Sequence, residues 1–141
     1  MQEDHLDNQL SIVPFRYKYL PALLEMLNSQ KYLGISTVNM KTLPKIGYMV
    51  LLRNYPVAAG FLRRVEGGYA QMDGLTSNPM FGSLIRHEAI NLVVNSLISD
   101  AKDLKLQGIL AFTGDKSVIK RSEDIGFRVI EQTLIVLSLK E

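Results

Sequence analysis

Few side chains in this sequence are of a type that can do chemistry, and their spacing narrows the field further. There is no cysteine, which excludes thiolate nucleophiles, disulfides and sulfur-bound metals. The two histidines, His5 and His87, lie far apart and outside any His-Glu-x-x-His spacing, so no metal site is expected. Ser83 lacks the Gly-x-Ser-x-Gly setting of a nucleophile elbow. Two features remain. Asp73 is a carboxylate within a strand pattern; it is either a solvated residue or the partner of Arg63 or Arg64 across a hairpin. Gly82–Ser83 opens a long helical pattern with Ser83 as a reasonable N-cap. The first N–H groups of such a helix have no intrahelical partner and carry the positive end of its dipole, so they form an anion site. His87 and Glu88 follow in the first turns and read as surface residues.

The elements that must hold these residues are legible from periodicity. Leu10 to Phe15 is a strand stopped, or placed at an edge, by Pro14. Leu20, Leu23, Leu24 and Leu27 recur at helical spacing, with Pro21 in the first turn. Lys31 to Ile46 reads as loop with at most one short helix. Tyr48 to Asn54 and Val57 to Val65 are strands joined by a turn at Tyr55–Pro56, and Glu66-Gly67-Gly68 makes a hairpin needing positive φ. The strand ending at Ser77 completes an antiparallel meander, and Gly74 within it suggests a bulge or a close approach to the backbone.

From Ser83 to Leu104, Ile85, Ala89, Val93, Leu97 and Ala101 fall every four residues beside a second row of Ile90, Val94 and Ile98, so a wide helical face packs on the sheet. Gly108 to Thr113 is a short buried strand and Lys116 to Ile125 a second helix, which Gly126 ends in the left-handed region. Phe127 to Leu139 is expected as one long bent strand or two short ones, and its exposed edge invites pairing between two subunits. The strand–helix–strand step around the long helix argues for locally parallel strands. The fold class is therefore α/β of the α+β kind: a mixed, mostly antiparallel sheet of six to seven strands with helices on both faces.

Composition agrees. A chain of 141 residues fits one domain, and 47% hydrophobic residues suffice for a core. A formal net charge of +2 with scattered lysines and arginines gives no footprint for nucleic acid. No apolar run approaches the roughly 18–20 residues of a membrane span, and the acidic start MQEDHLDNQL is unlike a secretion signal, so the cytoplasm is the expected compartment.

The order of these elements resembles that of the GNAT superfamily of N-acetyltransferases, from Leu10 to Leu139. The most specific stretch is LAFTGDKSVIKRSEDIGF, similar to the family's buried strand, polar loop, short helix and Gly–Phe, with Asp115 where the family usually has Asn and Gly126–Phe127 matching its Gly–Phe. The hairpin strand VAAGFLRRV is similar to the family's third-strand region. The resemblance implies a single domain over residues 10–141 behind a loose arm of residues 1–9. It also implies a V-shaped opening between two parallel strands that takes the pantetheine arm of acetyl-CoA as co-substrate.

On this resemblance the cofactor residues are Leu75, Thr76 and Ser77 on the strand and Phe81, Gly82, Ser83, Leu84, Ile85 and Arg86 at the helix start, with Asp115 beyond the buried strand. Asp73 is close to where the family often places a carboxylate base. Its thiolate-protonating Tyr falls at Ser122, a hydroxyl that cannot replace a phenol with pKa about 10. Pro79 stands where the family's pyrophosphate pattern has Arg or Gln, and Leu84 where it ends in a small residue. The aromatic residues Phe15, Tyr17, Tyr19 and Tyr32 fall where family members often form the acceptor site, or pack on the sheet. Two readings follow: an acyl-CoA-dependent N-acyltransferase attacking the thioester directly with an amine, or a GNAT-like module without chemistry that binds or builds, of a kind phage genomes could carry. Neither needs a metal, a membrane or nucleic acid.

Overall fold

The structure is a computed structural model that describes residues 9–29, 43–65, 67–113 and 116–133, together with 135, 137 and 139. The expected arm, most of the loop after Lys31 with Tyr32, Glu66 of the hairpin, and Asp115 lie outside the described residues. The chain forms two compact units that divide between Ala111 and Phe112.

In the first unit five strands lie side by side in chain order. They are β1 (Leu10–Pro14), β2 (Ile46–Leu52), β3 (Tyr55–Val65), β4 (Tyr69–Ser77) and β5 (Gly108–Leu110). A short 3-10 turn (Tyr17–Tyr19) leads into α1 (Leu20–Ser29), and α2 (Ser83–Asp103) links β4 to β5. The first four strands are antiparallel and β5 joins β4 in parallel, as the strand–helix–strand step requires.

Alternation along β2 separates two cores, one on each face of the sheet. Val50 and Leu52 pack with Val57, Ala58, Leu62 and Ala70 beneath Ala89, Ile90, Val93, Val94, Leu97 and Ala101 of α2. Met49 and Leu51 face the other way, with Ala59, Phe61 and the Leu23 and Met26 of α1. The two-row pattern read along the long helix is thus its buried face. On the α1 side the fully buried Phe61 ring meets Phe15 edge-on at 4.9 Å and lies over Gly47, where even a Cβ would collide with it.

Three expectations are corrected. The β2–β3 turn is Arg53–Asn54, with φ of 49° and 68°, rather than Tyr55–Pro56. Positive φ at both central residues makes the primed turn that matches strand twist, and Pro56 falls instead at a register shift, where its missing N–H does no harm. The last buried strand stops at Leu110 because the β4–β5 ladder ends at the pair Gln71–Leu110. The sheet has five strands rather than six to seven, since no described residue from Phe127 to Leu139 forms a ladder.

The termini of α2 explain two further residues. At its C-terminal end Lys105 adopts φ 57°, its N–H bonding Lys102 O at 2.9 Å while Leu106 N–H bonds Ala101 O at 3.1 Å. This is the glycine-favouring end motif of helices, formed here by a lysine against a cost of about 1 kcal/mol. Lys105→Gly is therefore expected to stabilise the protein by about 0.5 kcal/mol after the entropy of the unfolded glycine is counted, read as a rise in the urea midpoint. Nearby, the Tyr48 hydroxyl donates to Asp100 Oδ2 at 2.5 Å, tying β2 to the last turns of α2. That hydrogen bond, with burial and the charges of Asp100 and Asp103, pushes the phenol up to about 12.

A phenol whose folded pKa is raised stabilises fully below its unfolded value of about 10 and loses that contribution as pH climbs toward 12. Tyr48→Phe is expected to cost about 1–2 kcal/mol near pH 8. In urea unfolding, its deficit against wild type should shrink between pH 10 and 12.

The second unit holds α3 (Lys116–Ile125). Gly126, at φ 116°, ends it as expected: Phe127 N–H bonds Ser122 O at 2.9 Å and Gly126 N–H bonds Glu123 O at 3.0 Å. The Gly–Phe pair is thus a helix stop, in which only glycine accommodates the backbone without strain.

Candidate functional site

The site is built around an irregularity in β4. Ala59 pairs with Thr76, but two residues on Phe61 pairs with Asp73, so Gly74 and Leu75 together oppose Gly60. Gly74, at φ 61°, makes the extra residue of this bulge possible, as its place in the strand suggested. Gly60 admits the displaced strand: a Cβ there would lie 2.7 Å from Val93 and 2.9 Å from Leu75. On the other side the ladder with β5 ends at the pair Gln71–Leu110, while β4 continues to Ser77.

β4 runs on to the start of α2 through a loop fixed by Asn78. Its N–H bonds Val57 O at 2.7 Å and its Nδ2 bonds Pro56 O at 2.9 Å. Its Oδ1 accepts Met80 N–H at 3.0 Å, and its carbonyl accepts Phe81 N–H at 3.1 Å. Asn78 was legible only as half of an Asn–Pro turn; the signal for its clamping role is that Asn side chains bond backbone two residues on. Phe81 and Ile85 pack on the α2-side core and so hold the loop down.

Gly82 is the N-cap, with extended backbone (φ −67°, ψ 162°), and Ser83 is the first helical residue. The expected Ser83 cap is corrected: its side chain makes no capping bond, since the extended turn residue is the glycine before it. No acidic residue lies in the first turn of this 21-residue helix to offset the dipole. Leu84 is 80% exposed, so its bulk is not packed into the core. Arg86 is half-buried, and its Nε, shielded from solvent, has no hydrogen-bond partner. A buried guanidinium N–H without an acceptor is costly.

Asp73 is buried at 2% exposure on the α1 face beside Phe61. Its Oδ2 accepts from Arg63 Nε at 2.8 Å. Of the two partners anticipated across the hairpin, Arg63 is the one engaged, while Arg64 stands opposite Ala70. Ser122 belongs to the second unit; its hydroxyl donates to Val118 O at 2.8 Å, a bond along its own helix. The structure thus gathers Leu75, Thr76, Ser77, Phe81, Gly82, Ser83, Leu84, Ile85 and Arg86 in the first unit, and Ser122 in the other. His87 and Glu88 are exposed on α2. Among the described residues no group of three or more His, Asp or Glu side chains is placed to hold a metal, and no helix is long and apolar enough to cross a membrane.

No protein-family model matches the sequence, and no curated protein matches it. Solved structures do. An acetyltransferase from Streptococcus agalactiae superposes with TM-score 0.72 at 16% identity, covering 94% of this chain and 92% of that one. A Mycobacterium tuberculosis protein solved in complex with CoA gives 0.71 at 19% identity, covering 89% and 76%. A GNAT-family acetyltransferase from Staphylococcus aureus gives 0.70 at 17%, covering 88% and 86%. What is shared at such identities is the architecture, and the chain has the fold of the GNAT acetyltransferases.

Proposed function

We propose that the protein is an acyl-CoA-dependent N-acyltransferase acting on an amine. The observation that supports this best is the bulged β4 running directly into a long helix whose first turn has no acidic residue. A pantetheine arm is a string of amides that can lie along a strand edge, and a diphosphate suits the N–H groups of Ser83, Leu84 and Ile85. The solved M. tuberculosis neighbour with CoA adds to this reading.

In the reaction the acceptor nitrogen bonds to the acyl carbon and the carbon–sulfur bond then breaks. The charge passing through the carbonyl oxygen is held by backbone N–H of the Leu75 to Ser77 stretch, fixed in advance by the bulge. The nitrogen loses one proton and the departing thiolate gains one. Asp73 is an unpromising base because its carboxylate is inaccessible and faces Arg63; we assign it the task of neutralising Arg63 within the sheet, with solvent taking the proton. Ser122, tied to Val118 O, supplies no acid. Alignment of thioester and amine then carries the rate, an effect that can reach about 7–11 kcal/mol.

A second reading, a binding module without chemistry, is favoured by Ser122 alone, whose hydroxyl serves its helix. Titration calorimetry with acetyl-CoA and with CoA tests the choice. Micromolar binding, about 8 kcal/mol, followed by amine-dependent thiol release supports the transferase. No heat and no thermal stabilisation at millimolar ligand overturns it, and binding without turnover across an amine panel supports the module.

A further inference from the structure

At the C-terminal end of α2 a cavity of about 340 Å³ opens between that helix and the start of β2. A rise of about 1.5 Å per residue puts Asp100 about 26 Å along the helix from Ser83. The cavity is therefore remote from the helix start where phosphates are proposed to bind. Pro14, Ile46 and Leu104 give it apolar walls, while Lys45, Tyr48, Asp100 and Asp103 converge on it. Apolar walls with a few placed polar groups, in a volume of about 300–1,000 Å³, are the features of small-molecule sites.

Charge selects the occupant. Asp100 and Asp103 bring two negative charges against the one positive charge of Lys45, so a single cation balances the cavity. Among the described residues neither carboxylate has an ion-pair partner. The Tyr48 hydroxyl donates to Asp100, and a phenol oxygen that donates can also accept. The same bond, with burial and both aspartates, pushes the phenol up to about 12, so it stays protonated at neutral pH. An ammonium carries three donors and no acceptor, which two carboxylates and a phenol oxygen match. A calcium ion takes about 6–8 oxygens, and among the described residues no group of three or more His, Asp or Glu is placed to hold a metal. The apolar walls call for a hydrocarbon chain behind the charge.

We propose that this cavity binds a small primary alkylammonium ion. Its head would lie among Asp100, Asp103 and Tyr48, and its chain along Pro14, Ile46 and Leu104. The site is separate from the acyl-transfer reading and stands or falls without it. A cation held there joins β2 to the last turns of α2, so it stabilises the fold by mass action.

The test titrates the full chain at neutral pH with n-butylammonium chloride, followed by protein NMR shifts and by the thermal midpoint. Sodium chloride, magnesium chloride and sodium butyrate at matched ionic strength are the comparison probes. Butylammonium is expected to bind saturably and raise the midpoint, and the other three to do neither. Asp100→Asn should weaken binding by at least about tenfold. Asp103→Asn, at an exposed residue, should weaken it in the same direction without moving the midpoint of the unliganded protein, and Lys45→Met should tighten it. Butylammonium binding that both asparagine variants retain in full belongs elsewhere on the protein and overturns the inference. Magnesium or butyrate acting as strongly as butylammonium, or no saturation by butylammonium, overturns it as well. Acetyl-CoA binding is expected to be the same in wild type and Asp103→Asn, which keeps this outcome distinct from the fate of the transferase reading.

Discussion

Gly82→Trp abolishes acyl-CoA binding and leaves the protein folded. This is the expected result because the position is open and unstrained at once. A Cβ added at Gly82 meets nothing within 4 Å, and its backbone is extended, a conformation any residue adopts. The loss of a good N-cap costs below about 1 kcal/mol. The indole would project in front of the N–H groups of Ser83, Leu84 and Ile85, where the phosphates are proposed to sit. Affinity should fall at least a hundredfold, about 2.7 kcal/mol, with a thermal midpoint close to that of wild type. Calorimetry paired with thermal unfolding reads both. An unchanged affinity would show that the α2 start is not the phosphate site.

Asp73→Ala separates two accounts of one carboxylate. As the buried counter-ion of Arg63, its loss removes the carboxylate that Arg63 Nε bonds at 2.8 Å. Breaking a buried pair costs about 3–5 kcal/mol; with the Arg63 side chain 30% exposed and able to turn toward water, about 2–3 kcal/mol is expected here. Asp73→Asn, which keeps a hydrogen-bond acceptor, should cost less. Replacing both partners with apolar residues of similar volume should recover most of the loss. Urea unfolding measures all three. If instead Asp73→Ala keeps its stability and loses acyl transfer, the carboxylate is the base and the counter-ion account is wrong.

The sequence was most readable where periodicity and glycine speak together. The wide face of α2, the Gly67–Gly68 hairpin, the Gly74 bulge and the Gly126 helix stop each combine a hydrophobic period with a residue of special backbone freedom. It misled where a special backbone is made by ordinary residues. Arg53 and Asn54 turn with positive φ although Pro56 nearby is the louder signal. Strand ends failed for another reason: Ala111 to Thr113 look like strand, yet a strand needs a ladder, and the one with β4 ends at Leu110. At the site, residue types alone left Asp73 open between partners, and only the register of β3 against β4 decides for Arg63. Asn78 was hidden because a clamp of four bonds looks, in sequence, like any turn.

The bulge has a genetic consequence. Before Gly74, Met72 faces the α2 side and Asp73 the α1 side; after it, Leu75 again faces α2 and Thr76 stands with Ala59 on the α1 side. One extra residue has reversed the parity of the strand. An in-frame loss of that single codon would restore an uninterrupted ladder, with Leu75 opposite Gly60 and Thr76 still opposite Ala59, so every side chain would keep its face and only the bulge would go. A codon lost elsewhere in the strand, with the bulge kept, would instead turn the residues beyond it to the opposite face. Lineages carrying this gene should therefore tolerate a change of length in β4 at Gly74 before anywhere else along it.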